Sequence, residues 1–247
     1  MSSLSKLRAI LEERLALMAP SRRLRLAVAE REVARRRGGK SRLRVLDAGC
    51  GDGLLLLAMA KRHPSWEMAG VDLRADLLKG ARKRAAARGL GNARFLPGDL
   101  ERPLPESGCD VVLAVECLEE IPGDRQALRM MFGALAPGGL LVAHVPERDW
   151  KPVLPGSSGI WREQVRQGYT AEELEALLRE VGFTDVQVRP TYRSLAAAAQ
   201  EVRDRIKDAG LLVRLFAFPF LAAAVRLERW GVTFGRANAL IAVGSRP

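Results

Sequence analysis

Between Leu43 and Pro190 the sequence alternates short apolar runs with longer segments of helical spacing, and no other feature limits the fold as severely. RLRVLD (42–47) reads as a buried strand, LLLLAMAKRH (54–63) as a helix, WEMAGVD (66–72) as a strand and ADLLKGARKRAAARG (75–89) as a helix. ARFLPGD (93–99) reads as a short strand, CDVVLAVE (109–116) as a strongly apolar one, and DRQALRMMFGALAPGG (124–139) as a helix stopped by glycine. LLVAHV (140–145) is a further strand. The helix TAEELEALLREVG (170–182) follows, with Thr170 and Glu173 at capping-box spacing, and then the strand FTDVQVRP (183–190). Strand and helix taking turns in this way predict an α/β, doubly wound, mainly parallel sheet with helices on both faces. After Pro190 the alternation fails. Residues 191–235 read as a helical insertion before one last strand, ANALIAVGS (237–245), which brings the sheet to seven strands.

Ahead of the alternation, Leu4, Leu7, Leu11, Leu15 and Met18 follow helical spacing, and a second helix runs from about Arg22 to the Gly38-Gly39 stop. The expected organisation is therefore a pair of basic N-terminal helices over residues 1–42 and one domain over 43–247. Within that domain, Glu147 to Gly168 has no periodicity and carries Pro152, Pro155, Gly156 and Gly159. Loops this long in compact domains usually serve a function, so 147–168 is expected to be a lid.

The charge of +11 is unevenly spread: residues 1–44 hold 13 Lys/Arg against 4 Asp/Glu, and residues 191–247 hold 9 against 4. Basic ends of this kind suit nucleic acid, anionic lipid or a phosphorylated ligand, or form a solvated Arg-rich surface. Three cysteines without CxxC spacing fit neither a disulfide framework nor a zinc site, and suggest a reducing, cytoplasmic setting. The first twenty residues show no signal-peptide pattern.

The stretch VLDAGCGDG (45–53) ends a strand in Asp47 and then places glycine at 49, 51 and 53. Glycines there let the chain turn tightly and let a ligand approach at the carboxyl edge of the sheet. A dinucleotide fingerprint needs its third glycine one residue later, and a pyrophosphate would be repelled by Asp47 and Asp52. S-adenosylmethionine has no phosphate; its ammonium and sulfonium favour nearby carboxylates. Asp72, closing the second strand, suits two ribose hydroxyls of either cofactor.

Taken together, LDAGCGDG, GVDL, PGDLE and CDVVLAVECLEEIPGDRQALRMMFGALAPGGLLVAHVPE resemble the motifs of the class I S-adenosylmethionine-dependent methyltransferases, in the branch with quinone-biosynthesis and natural-product enzymes. The resemblance implies a Rossmann-like fold and a cofactor site formed by Asp47, Gly49, Cys50, Gly51, Gly53, Asp72, Leu73, Asp99, Leu100, Val115 and Glu116. Asp72 would hold the ribose with Leu73 flanking the adenine. Asp99 would meet the adenine amino group while Leu100 packs on the ring, and backbone at Ala114 to Glu116 would touch the methionine end. Where that branch usually has Leu-Glu-His, this chain has Leu118-Glu119-Glu120, so the histidine's role does not carry over.

Methyl transfer needs positioning, plus a base when the acceptor holds a proton. His144, ending LLVAHV, is the best single candidate base; the other reading is a histidine fixed by a backbone carbonyl. Glu119, Glu120 and Tyr169 are further catalytic candidates. Trp150 and Trp161 could wall a pocket. Cys117 lacks a Pro-Cys motif, AVECLEE is unlike the motif of adenine-amino methylases, and no residue cluster has metal-ligand spacing, so no metal is expected.

The leading expectation is methylation of a small-molecule or lipid-like acceptor, most simply at oxygen. The alternative is an RNA-modifying enzyme using the basic N-terminal helices, although residues 1–44 contain no aromatic residue for base stacking. A regulatory subunit that binds cofactor without turnover is a third reading. GLLVRLFAFPFLAAAVRLERW (210–230) is apolar almost all round, yet too interrupted by Arg214, Pro219 and Arg226 to span a bilayer. Either it packs against the sheet edge or a second subunit as a homodimer, or Phe216, Phe218, Phe220 and Leu221 meet an anionic membrane at its inner face.

Overall fold

The structure, a computed structural model, describes residues 20–38, 41–156, 165–191, 194–230, 232, 235 and 237–247. The helix expected over Leu4 to Met18, Gly159 and Trp161 lie outside the described residues. In chain order the elements are α1 (Pro20–Arg37), β1 (Arg44–Ala48), α2 (Leu54–Arg62), β2 (Glu67–Asp72), α3 (Ala75–Ala87), β3 (Ala93–Pro97) and β4 (Cys109–Val115). A single 3-10 turn (Leu118–Glu120) leads to α4 (Asp124–Ala134), β5 (Leu135–Pro146), α5 (Ala171–Val181), β6 (Thr184–Thr191), α6 (Ser194–Arg205), α7 (Leu211–Arg229) and β7 (Ala239–Ser245).

The seven strands form one sheet in the order β3-β2-β1-β4-β5-β7-β6. Neighbours from β3 to β5 are parallel, whereas β7 runs antiparallel to both β5 and β6. The sheet is thus mixed, with the reversal confined to the last strand; apolar periodicity reads a buried strand alike in either direction. Both faces are covered. Along β4, Val112 and Ala114 pack with Leu128 of α4 and Leu174 of α5, while Val111 and Leu113 pack with Leu57 of α2, Leu78 of α3 and Leu26 of α1. Burial on both sides is why β4 reads as a continuous apolar run rather than an alternating one.

One boundary differs from expectation. The segment ALAPGG was read as the end of a helix, but α4 stops at Ala134 and β5 starts at Leu135. Pairing with β4 skips from Cys109↔Leu135 to Val111↔Leu140, so Pro137 to Gly139 form an irregular stretch where proline has no N–H for a ladder. At the start of α5 the capping box forms as read: the Glu173 N–H donates to Thr170 Oγ1 (3.2 Å) and the Thr170 N–H donates to Glu173 Oε2 (3.0 Å).

Two consequences position the site. The order reverses between β1 and β4, which opens a crevice at their carboxyl ends. Helices α6 and α7 leave β6 after Thr191 and return to β7 before Ala239, and Ala239 pairs with both Thr191 and Pro146. This helical pair therefore emerges at the same carboxyl edge. Helix α1 joins it there, with Leu24, Ala196 and Val225 packed in one small cluster.

Candidate cofactor and acceptor site

The β1 turn is held by backbone. The N–H groups of Gly49 and Cys50 both donate to the Val71 carbonyl (2.8 and 3.0 Å), and the Gly51 N–H donates to Asp72 Oδ2 (2.7 Å). Gly49, Gly51 and Gly53 all have positive φ (77°, 53° and 71°), a region that costs a side chain dearly. Packing adds a second constraint at two of them. A Cβ on Gly49 would sit 2.5 Å from Cys117 Cβ, and one on Gly53 would sit 2.5 Å from Phe95 Cε1. At Gly51 the nearest group would be Arg74 Nη2 at 3.7 Å, so there only the backbone angle demands glycine.

Carboxylates converge on this turn. Asp47 is buried, and burial first, then the charges of Asp72 and Asp52, push its carboxyl up to about 7. A buried carboxyl that resists ionising beside other carboxylates favours a cationic ligand over a phosphate. Asp72 Oδ1 accepts from the Arg74 N–H (2.9 Å) and from Arg74 Nε (3.2 Å). A carboxylate has about four lone-pair directions, so Asp72 keeps capacity for hydroxyl donors. Leu73 beside it is 73% exposed, an apolar side chain on the open rim. Asp99 Oδ1 accepts from the Glu101 N–H (2.9 Å), and Leu100 is buried next to it. The Gly98 N–H donates to the Asp72 carbonyl (3.1 Å), which brings the ends of β2 and β3 together.

The acceptor side is built from side chains instead. Just after Val115, Glu116 has φ 54°, a left-handed conformation that is costly for a glutamate. Its N–H donates to the His144 carbonyl (2.8 Å), which ties the end of β4 to β5. Its carboxylate lies between two partners: Oε1 is 2.7 Å from His144 Nδ1, and Oε2 is 2.7 Å from Arg25 Nη2. Burial alone would raise this carboxyl, but the Arg25 charge and the His144 hydrogen bond overcome it and hold Glu116 below the usual range. An ionised Glu116 can only accept, so His144 Nδ1 carries the proton and Nε2 is left with its lone pair. That Nε2 is buried and has no hydrogen-bond partner.

Glu119 lies next along the chain, 2% exposed, with Oε2 lacking a partner. Burial, followed by the charge of Glu116, raises its carboxyl well above the usual range, which favours its neutral form. The Glu120 N–H donates to the Cys117 carbonyl and closes the turn (3.1 Å). Cys117 is buried with Sγ 3.2 Å from the Ala48 carbonyl, and burial raises its thiol, opposite to what a nucleophile needs. Tyr169 is also buried, its hydroxyl 2.9 Å from Asp124 Oδ2 and 3.2 Å from the Leu118 carbonyl, with Arg166 over the ring. The hydroxyl is thereby engaged within the protein wall, and burial pushes it upward. Among the described residues no His/Cys/Asp/Glu cluster could hold a metal ion.

Sequence reasoning missed the arginines. Arg22 Nη2 is 2.7 Å from Asp52 Oδ2, and Arg25 reaches Glu116, so one face of α1 leans over the crevice. Their i, i+3 spacing puts them on one face of the helix, but nothing local says which face meets the sheet. The same contacts show two basic groups of the N-terminal region turned towards the site's own carboxylates. Trp150 is half-buried in the segment that follows β5.

A doubly wound sheet with a glycine turn, a rim of carboxylates and a ribose-type acidic residue at the switch point defines a nucleoside-cofactor enzyme fold. Residues 11–188 match the family model described as a methyltransferase domain, and the chain belongs to that family of S-adenosylmethionine-dependent methyltransferases. It is 32% identical over 152 residues to a trans-aconitate 2-methyltransferase of Rhodopseudomonas palustris (strain BisA53), covering 60% of this chain and 56% of that protein. It is 32% identical over 189 residues to a demethylmenaquinone methyltransferase of Thermus thermophilus, covering 67% of this chain and 84% of that protein. The chain thus spans little more than half the length of the trans-aconitate relative. Among solved structures, a Haemonchus contortus phosphoethanolamine N-methyltransferase in complex with S-adenosyl-L-methionine matches with a TM-score of 0.63 and 19% identity, covering 87% of this chain and 51% of that one. That likeness concerns the fold.

Proposed function

We propose that this protein transfers a methyl group from S-adenosylmethionine to an oxygen of a small or amphiphilic molecule. Asp47, Gly49, Cys50, Gly51, Gly53, Asp72, Leu73, Asp99, Leu100 and Val115 would hold the cofactor, with residues 147–168 as a lid. The relatives support the reaction class, since those named above act on small molecules.

The observation that carries the choice of oxygen is the pair of half-buried Glu116 and buried His144, with Nδ1 the donor and Nε2 bare. A hydroxyl acceptor must lose its proton as the new bond forms, and a positioned imidazole suits that task, whereas a carboxylate acceptor would need no base. Bound cofactor supplies an electrophilic methyl on a sulfonium. His144 Nε2 takes the acceptor's proton, the Glu116 carboxylate stabilises the resulting imidazolium, and Arg25 keeps Glu116 ionised. Neutral Glu119 can donate a hydrogen bond to an acceptor oxygen. Glu116 is thus reassigned from the cofactor to the base.

The test is turnover of methyl-labelled cofactor with fractionated small-molecule, lipid and RNA extracts, followed by mass spectrometry of the labelled product. An O-methyl product from a small-molecule or lipid fraction is expected. Label in RNA, or on nitrogen or carbon of a small molecule, would refute the assignment.

A further inference from the structure

Helix α7 presents a second apolar face to the outside. Leu212, Phe216, Phe220 and Trp230 are 82%, 77%, 65% and 75% exposed, with Val213 and Leu227 exposed beside them. At ~100° per residue these six positions share an arc of about 100° on one face. The opposite face carries a charge: Glu228 is buried and its Oε2 accepts from the Ala196 N–H at the start of α6 (2.8 Å). Val225 on the inward side is buried against Leu24 and Ala196, so the outer stripe is additional to the face by which the helix packs, and a helix that packs only against its own domain normally lacks one. An exposed apolar face of this length marks an interaction site.

The surrounding charge selects the partner. Acidic groups of this region are turned towards internal donors. Glu201 accepts from the N–H groups of Val153 and Leu154, Asp204 meets Gln200 and Arg203, and Glu228 holds α6. Exposed basic residues lie at Lys207 and Arg226, against exposed Asp208, while exposed Arg205 donates to the Pro155 carbonyl. An apolar stripe with a basic rim complements an anionic lipid surface. A second copy of the chain would bring the same basic rim against itself. No described helix is long and apolar enough to cross a membrane, so the contact lies in the plane of the interface.

We propose that the outer face of α7 docks on an anionic membrane surface. Phe216, Phe220 and Trp230 would enter the headgroup region while Lys207 and Arg226 meet lipid phosphates. The topology gives this contact a purpose, because α6 and α7 leave the sheet at the edge that carries His144, and α1 links the two. Docking there would hold the acceptor site close to the bilayer. It does not depend on which atom is methylated, and a failure of the O-methylation reading would leave it standing.

Co-sedimentation of the full chain with vesicles of phosphatidylcholine, alone and mixed with phosphatidylglycerol, tests the proposal. Binding to the mixed vesicles that weakens with added salt is expected. A Phe216→Ser/Phe220→Ser/Trp230→Ser variant should lose it while keeping its cofactor affinity by calorimetry. A Lys207→Ala/Arg226→Ala variant should bind the mixed vesicles about 30-fold more weakly. Absence of binding to either vesicle, equal binding to both, or a stable dimer dissolved by the triple substitution would each overturn the proposal, the last in favour of self-association.

Discussion

The two halves of the crevice are made in different ways. On the β1–β3 side, the turn is fixed by main-chain N–H groups that donate to the Val71 carbonyl and the Asp72 carboxylate, within about thirty residues of sequence, and by glycines at positive φ. On the β4–β5 side, the arrangement depends on side chains from three distant segments, with Arg25, Glu116 and His144 joined through one carboxylate. The first half is a rigid cradle for a common ligand. The second is an electrostatic assembly that can change its chemistry by changing one residue. The difference predicts that substitutions on the two sides will separate binding from turnover.

The largest expected effect falls on the acceptor side. His144→Ala should lower turnover by about 10²–10⁴-fold while cofactor affinity stays within about twofold. Equal losses in both would erase the division between the halves. In the cradle, Gly49→Ala meets both a positive φ and the Cys117 side chain, and should cost about 2–4 kcal/mol in urea unfolding. Gly51→Ala, with open space beyond its Cβ, should cost only about 1–2 kcal/mol. Reversal of that order would show that the turn is held differently.

A smaller effect is expected at Asp72, where Asp72→Ala should weaken cofactor binding by about 2–3 kcal/mol through the loss of two charge-assisted hydrogen bonds. Calorimetry showing unchanged affinity would remove Asp72 from the site. A pH dependence is also expected. Asp47 has a carboxyl raised from 3.8 to about 7, so between those values the folded state holds a proton that the unfolded chain has lost. Stability therefore falls as pH rises through this window, and Asp47→Asn should flatten the slope. A cationic cofactor prefers the ionised form, so its affinity should rise with pH up to about 7 and then level off. An unchanged pH profile in Asp47→Asn would assign the titration to another group.

The cradle was legible in the sequence because local chemistry dictates it. Positive φ demands glycine, a strand end places Asp47 and Asp72, and Thr170 with Glu173 announces a helix start. The acceptor half was legible only in part. His144 could be placed at the end of its strand, but its partner is 28 residues away and meets it only because β4 and β5 are neighbours. The roles of Arg22 and Arg25 depended on how α1 lies across the sheet, which no periodicity encodes. The direction of β7 and the early start of β5 at Leu135 escaped for a similar reason, since both are decided by pairing rather than composition. The apolar segment 210–230 was visible as unusual, but its exposed face appears only once Val225 and Glu228 are seen to point inward.

The central claim is that Glu116 holds His144 with Nδ1 protonated and Nε2 bare, and nitrogen-15 NMR of the imidazole rings tests it without knowledge of the acceptor. The chain has only two histidines, so a His63→Gln variant assigns the His144 signals. The account predicts an Nδ1–H tautomer for the neutral His144 ring, and a shift towards the Nε2–H tautomer in Glu116→Gln. An Nε2–H tautomer in the wild-type protein would contradict it.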